Sequence, residues 1–456
     1  MIKHKLQSGY ITCMDKPYIF TYDGELLQLV PRDEESIKPY DYLKNKNINY
    51  DVLEGNTIGF DKIFFLNCYL KVSLSGYIAK PAGYVCFSNN ERKFDVITFR
   101  GGIIDYFYRP NQIIDTENTQ YNYDIGGATL KLKTFDETSK QVHVEIDGKQ
   151  AVLTLGVTLP EDPLNMQKDY NLGKPESIFR LTFNESVEVT EFSKIYMWIY
   201  NLMVFLNFRK NINMGQIELG KIDEEKKIEK IGYVYLNQKD KKSIPDVDRI
   251  IGYYFVFNHL NELLQIVNKE NLNLLFIPKN EKDGQCLSPE KYMICCTSFE
   301  SVFNYMFPDA RIEYDKKAKI VKEDFLQYIK LKREEYKGQD SKIRKEFEKY
   351  ANIIKLLDFS LAEKFEFCNS RYVKSINEYK KKILWKCEFD FTEEELENLS
   401  EEFAKKRNMF IHSSIEDFED IHIFSYLLAR VFIYIMILNK ANIESSMIIQ
   451  AIDKIL

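Results

Sequence analysis

The feature that most constrains this fold is a change of periodicity. Up to Asn237 the apolar residues alternate in short runs broken by turns; beyond Pro245 they recur at spacings of three and four. Between the two regimes lies Asn237-Gln238-Lys239-Asp240-Lys241-Lys242-Ser243-Ile244-Pro245, a charged, proline-ended stretch with the composition of a linker. A period of two sends successive side chains to opposite faces of a sheet, whereas a period of 3.6 collects them on one face of a helix. The expectation is an α+β protein, with a β-rich, sandwich-like domain over residues 1–242 and an all-helical bundle over 246–456.

In the first half, the clearest element is a hairpin: Val142-His143-Val144-Glu145-Ile146, then Asp147-Gly148, then Leu153 to Leu159. Strict alternation around Asp-Gly is the strongest short-range hairpin signal. His143 alternates with the valines, so it faces solvent or the second sheet face and carries no catalytic role. Glu25 to Val30, Phe94 to Phe99, Phe179 to Phe183, Gly215 to Leu219 and Ile231 to Leu236 read as further strands, with one helix from Val189 to Phe208 packed on the sheet. Arg100-Gly101-Gly102 is a turn, lacking both a phosphate-loop lysine and a dinucleotide spacing.

In the second half, helices are expected over Asp246–Asn268, Tyr292–Phe307, Lys322–Lys337, Ser341–Cys368 and Tyr372–Trp385. Ser288-Pro289-Glu290 starts the second of these and Pro308 ends it. That helix is apolar nearly all round, so it should be central, and Glu300 is its only charge after Lys291. Thr392-Glu393-Glu394-Glu395 is a capping box that launches a helix running to His412. Ile415–Lys440 and Glu444–Leu456 complete the bundle. His259 is a packed or surface residue of the first of these helices.

Composition removes several function classes. A net charge of −6 gives no global basic footprint, so nucleic acid could be met only by a local or composite surface. The eight cysteines form no C-x-x-C pair and have no neighbouring histidine, so zinc and redox spacings are absent and reduced core thiols are expected. The N-terminal residues carry no apolar signal region. Ile421–Leu438 is apolar, but Arg430 interrupts it and it falls short of a comfortable membrane span, so a buried core helix is expected. The location expected is cytoplasmic, with no membrane partner.

Candidate chemistry concentrates in Lys405-Lys406-Arg407-Asn408-Met409-Phe410-Ile411-His412, at the end of an apolar-periodic helix. The chain has five histidines, His4, His143, His259, His412 and His422, and only His412 has an arginine five residues before it. Thr297-Ser298-Phe299-Glu300 on the central helix, the later Arg407-Asn408-x-x-x-His412 and the closing apolar helix with Tyr426-Leu427-Leu428-Ala429-Arg430 together resemble the HEPN superfamily. Within it the chain is similar to the ApeA-like branch of bacterial anti-phage defence proteins. Gly24-Glu25-Leu26-Leu27-Gln28-Leu29 and Phe94-Asp95-Val96-Ile97-Thr98-Phe99 resemble an ApeA-type N-terminal domain that senses or binds.

The resemblance implies a metal-independent endoribonuclease that needs no cofactor and acts on cellular RNA, such as tRNA, after a phage-derived trigger. It also implies a homodimer or higher oligomer whose motifs meet at one composite site. The chemistry suits the residues. Cutting RNA without a metal requires the 2′-hydroxyl to attack the adjacent phosphate, with one group taking that proton and another protonating the departing oxygen. His412 suits both tasks, Arg407 offers a planar donor fork to the phosphate, and Asn408 orients one of them. Glu300 either pairs with Arg407 or forms a purely structural salt bridge. His422, on the next helix, either approaches the site or is a helix-surface histidine. The rival readings are a non-catalytic HEPN scaffold for binding or dimerisation and a metal-dependent hydrolase, the latter disfavoured because no Asp/Glu/His cluster has ligand spacing.

Overall fold

The computed structural model describes residues 6–32, 47–73, 75–88, 90–122, 127–159, 174–237, 249–270, 272, 274–337, 341–356, 359–411 and 417–455. Most of the linker from Gln238 onward, and His412, lie outside the described residues. The protein is α+β, β-rich in the N-terminal part and helical in the C-terminal part. It forms two compact units, residues 1–265 and 266–454.

The first unit is built on one antiparallel sheet of thirteen strands, part of which closes on itself. β1 (Gln7–Cys13) pairs with β2 (Lys16–Tyr22) and β4 (Ile48–Thr57); β2 pairs with β3 (Leu27–Pro31). β3 pairs with β6 (Gly76–Ala79), which pairs with β5 (Lys62–Ser73), and β5 returns to β4. These six strands form a closed barrel, so a sandwich is not the arrangement. β5 makes this possible by its length. Its last residues, Lys71–Ser73, pair with β6, while Lys62–Leu66 pair with β7 (Gly83–Phe87), where the sheet leaves the barrel. Alternate side chains fill the interior: Phe20 and Tyr22 meet Phe65 edge-on at 5.3 and 5.4 Å.

Beyond β7 the open sheet continues through β8 (Lys93–Arg100), β11 (Lys140–Ile146), β12 (Lys149–Thr158), β13 (Glu176–Glu188), β14 (Gln216–Ile222) and β15 (Ile228–Leu236). A separate two-stranded sheet pairs β9 (Ile114–Asn122) with β10 (Gly127–Leu132). The β11–β12 hairpin forms as expected: Asp147 and Gly148 take φ of 50° and 77°, the left-handed pair that an Asp-Gly turn accepts. His143 is exposed. The helix α1 (Phe192–Asn207) lays Tyr196 on Phe99 of β8, 6.5 Å between ring centres, and ends at Phe208 in the left-handed conformation.

A continuous helix over Asp246–Asn268 does not form. Ile250 and Ile251 are buried, and the Ile251 N–H donates to the Leu206 carbonyl at 2.9 Å, which ties the segment to the end of α1. Among the described residues helix begins at Tyr253–Val256 and resumes at Leu260–Val267, leaving His259 half-buried in the turn between. Asn261 meets the exposed edge of β11, its side-chain oxygen accepting from the Glu145 N–H at 2.9 Å.

The second unit is helical: α2 (Pro289–Met306), α3 (Pro308–Glu335), α4 (Ser341–Leu356), α5 (Leu361–Arg371), α6 (Val373–Cys387), α7 (Leu399–Ile411), α8 (Asp420–Lys440) and α9 (Ser445–Ile452). Ser288 caps α2 by accepting from the Lys291 N–H, with Pro289 in the first turn. Phe299 of α2, Phe365 of α5, Phe403 of α7 and Phe432 of α8 form the core, with Phe365 5.0 Å from both Phe403 and Phe432. By length and composition α8 could cross a membrane, yet 89% of its most apolar window is buried inside the protein, so the core-helix expectation holds. Two expected helices are divided. Ser360 and Glu363 form a capping box that opens α5, so Ser341–Cys368 is not continuous. The Thr392 box launches only Glu393–Glu397; after a break at Asn398, α7 starts anew.

Candidate functional site around the Arg407 helix

The spacing of α7 decides which of its residues face inward. Leu399, Phe403, Lys406 and Phe410 fall at intervals of four, three and four, one stripe of a helix. Three of these are apolar, and the fourth is a lysine that the stripe carries into the interior. Lys406 is 1% exposed; its Nζ donates to the Asp417 carbonyl at 2.9 Å and lies 5.4 and 5.7 Å from the ring centres of Phe410 and Phe418. A buried ammonium is tolerable only with such partners. Lys406 was legible in the sequence only as a lysine within an apolar stripe.

His422 stands near this cation. It is 4% exposed, so it is not a helix-surface histidine. Its Nδ1 accepts from the Glu419 N–H at 3.2 Å, and its Nε2 lies 3.6 Å from Glu402 Oε2. The acceptor role of Nδ1 assigns the ring hydrogen to Nε2, directed at the carboxylate. Burial, and after it the charge of Lys406, holds His422 below the usual histidine range. Glu402 also accepts from Lys405 at 3.0 Å, so α7 and the first turn of α8 share a small network of charged groups.

One residue further on, α7 turns by about 100° and Arg407 points elsewhere. The guanidinium is half-buried, and its Nε is buried with no hydrogen-bond acceptor. Its charge reaches Cys296 on α2. That thiol is pushed well above its usual range by burial and by Cys295, with Arg407 opposing and Glu300 adding to the shift. Glu300 pairs with a different cation. Its Oε1 lies 3.3 Å from Nζ of Lys364 on α5, which is 7% exposed on its side chain against 28% for Glu300. Of the two alternatives for Glu300, a pair with Arg407 or a structural salt bridge, the structure forms a salt bridge, to Lys364.

Asn408 is exposed and lines a shallow groove of about 660 Å³ with Ala362, Glu401, Glu402, Lys405 and Met409. No hydrogen bond joins it to Arg407. The structure thus brings Arg407, Cys296 and Glu300 together on one flank of α7, Lys406, Glu402 and His422 on another, and Asn408 on the open side. A larger concavity of about 750 Å³ opens beside Arg371 and Lys440 and contains none of the motif residues. Among the described residues no three His, Cys, Asp or Glu side chains converge to hold a metal ion. Compared with family models, with curated proteins and with solved structures, the chain matches none of them.

Proposed function

We propose that the helical unit is a metal-independent endoribonuclease of the HEPN type, acting in anti-phage defence with a β-rich ApeA-type unit that senses the trigger. The observation that carries this reading is Arg407: a half-buried guanidinium whose Nε has no acceptor, one residue from an exposed asparagine, near the end of an exposed-ended helix. Buried donors in folded proteins nearly always have partners. The planar donor fork of arginine fits an anionic ligand such as a phosphodiester. In the proposed reaction His412 takes the proton from the ribose 2′-hydroxyl, the 2′-oxygen attacks phosphorus, and the 5′-oxygen leaves with a proton. The products are a 2′,3′-cyclic phosphate and a 5′-hydroxyl end. Arg407 stabilises the pentavalent phosphate, Asn408 helps to orient the pair, and a second copy supplies the second histidine. The work is done on cellular RNA, tRNA among the candidates, in the cytoplasm.

Incubating the protein with total tRNA in excess EDTA tests this. The expected result is cleavage to cyclic-phosphate ends, lost in Arg407→Ala and His412→Ala. Removing an oriented charge donor or the general base each costs about 10²-fold or more. Activity that requires Mg²⁺ and survives His412→Ala refutes the mechanism, and absence of cleavage under any trigger favours a binding scaffold.

A further inference from the structure

The open sheet of the first unit holds an arginine that forms no ion pair with any described carboxylate. Arg180 lies in β13, an interior strand with β12 on one side and β8 on the other. The register sets Thr154 of β12 and Thr98 of β8 directly opposite it, and Glu218 of β14 opposite Thr98. Directly opposed residues share a face, with Cβ atoms about 4.5–5.5 Å apart, so Thr154, Arg180, Thr98 and Glu218 form one row. Strand alternation puts that row on the face away from Phe99 and α1.

Arg180 is half-buried, and its Nε is buried with no hydrogen-bond acceptor. Its guanidinium meets the ring of Phe135, 5.2 Å from Cζ, on the short helical turn Phe135–Thr138. The carboxylate in its row is engaged elsewhere. Glu218 pairs with Arg100 Nε at 2.7 Å and with Lys230 Nζ at 2.6 Å. Burial, and then the charge of Arg100, pull Arg180 below the usual arginine range, with Glu218 opposing. Arginine does not shed its proton in response, so the partly desolvated charge persists. A ring face offsets part of that cost, and an anion offsets far more.

We infer that this row binds one phosphate group of a small phosphorylated molecule, with Arg180 as the anchor. The guanidinium offers a planar fork, and the hydroxyls of Thr98 and Thr154 offer one donor on each side. Donors on three sides suit a tetrahedral oxyanion better than a flat carboxylate. Packing of the threonines, 5% and 6% exposed, fixes their positions in advance. The free charge is local. Ile178 and Thr182, the neighbours of Arg180 on its own face of β13, are uncharged, and Arg100 and Lys230 are already paired with Glu218. A polyanion gains from a succession of free cations, whereas one free cation suits one phosphate group. All of these residues lie in the first unit and none belongs to the Arg407 motif, so the site stands apart from the ribonuclease reading.

Calorimetric titration of the full chain with inorganic phosphate, against chloride at equal ionic strength, tests the site. One phosphate per chain should bind saturably, and at least ~10-fold more weakly to Arg180→Gln. Thr98→Val/Thr154→Val keeps the branched shape that strands favour and removes only the hydroxyls, so it should weaken binding several-fold with an unchanged thermal midpoint in chloride. This second variant keeps the test valid if Arg180→Gln misfolds. Phosphate that binds no better than chloride, or equally well to the folded variants, overturns the inference. Acetate bound as tightly as phosphate also overturns it, as does an oligoribonucleotide that binds more tightly than phosphate and is lost in the same variants.

Discussion

Lys406 offers the sharpest test of how the candidate site is held, because its surroundings set a magnitude. Lys406→Ala removes one charge-assisted hydrogen bond to Asp417, worth about 1.5–3 kcal/mol, and two ring contacts of about 0.5–2 kcal/mol each. It also relieves the desolvation of an ammonium that is 1% exposed, which returns several kcal/mol. The vacated slot between Phe410 and Phe418 is lost packing that nothing refills, so a net loss of about 3 kcal/mol is expected. Lys406→Met keeps the stem in that slot, adds sulfur–aromatic contacts and removes the buried charge, so its loss should be about 1 kcal/mol. For a unit of this size these become midpoint shifts of roughly 6–12 °C and 2–4 °C. Urea unfolding followed at 222 nm, where the helices of the second unit dominate, measures both. If the two variants unfold within about 0.5 kcal/mol of wild type, a surface-like effect, the buried tether is wrong.

Two further outcomes follow from neighbouring groups. Burial and the Lys406 charge hold His422 below its ordinary range, while the unfolded chain takes up the proton near pH 6.5. Between those values the unfolded state binds more protons, so the stability due to neutral His422 is intact above about pH 6.5 and is lost as pH falls toward the folded value. His422→Gln, which retains a donor for Glu402, should flatten this acid-side loss in a pH series of urea titrations; an unchanged slope refutes the assignment. Lys364→Met is expected to free Glu300 to neutralise Arg407, lowering tRNA cleavage about tenfold or more with little unfolding, and adding Glu300→Gln should restore it. Failure of the second substitution to rescue would show that Lys364 does not act through Glu300.

Much of the fold was legible where the signal is local. The Asp147-Gly148 hairpin, α1 and the Pro289 start of α2 need only neighbouring residues, and they form within a few positions of expectation. Barrel closure was not legible, because it depends on a twelve-residue β5 that pairs with β6 at one end and β7 at the other. No periodicity distinguishes that strand from two shorter ones. Ser360-Leu361-Ala362-Glu363 is the same capping signal as Thr392-Glu393-Glu394-Glu395, but an unbroken apolar rhythm concealed it, and there the helix divides. In the site, Lys406 could have been found from its stripe. The Lys364 partner of Glu300 could not, since the two are 64 residues apart and meet only through packing of α2 against α5.

That pairing bears on what Arg407 is for. Lys406 and Arg407 are adjacent cations on one helix, and the fold treats them oppositely. Lys406 is buried with a carbonyl and two rings around it. Arg407 is held half-buried without an acceptor for its Nε. Glu300 acts electrostatically on the same Cys296 thiol as Arg407. Lys364 engages that carboxylate instead, at 3.3 Å. A helix under selection for stability alone would gain by closing Glu300 onto Arg407 and leaving α5 an apolar residue at position 364, since apolar replacements of buried pairs are often neutral or stabilising. With the acid engaged by Lys364, it forms no ion pair with Arg407, an arrangement that suits the proposed phosphate-binding role.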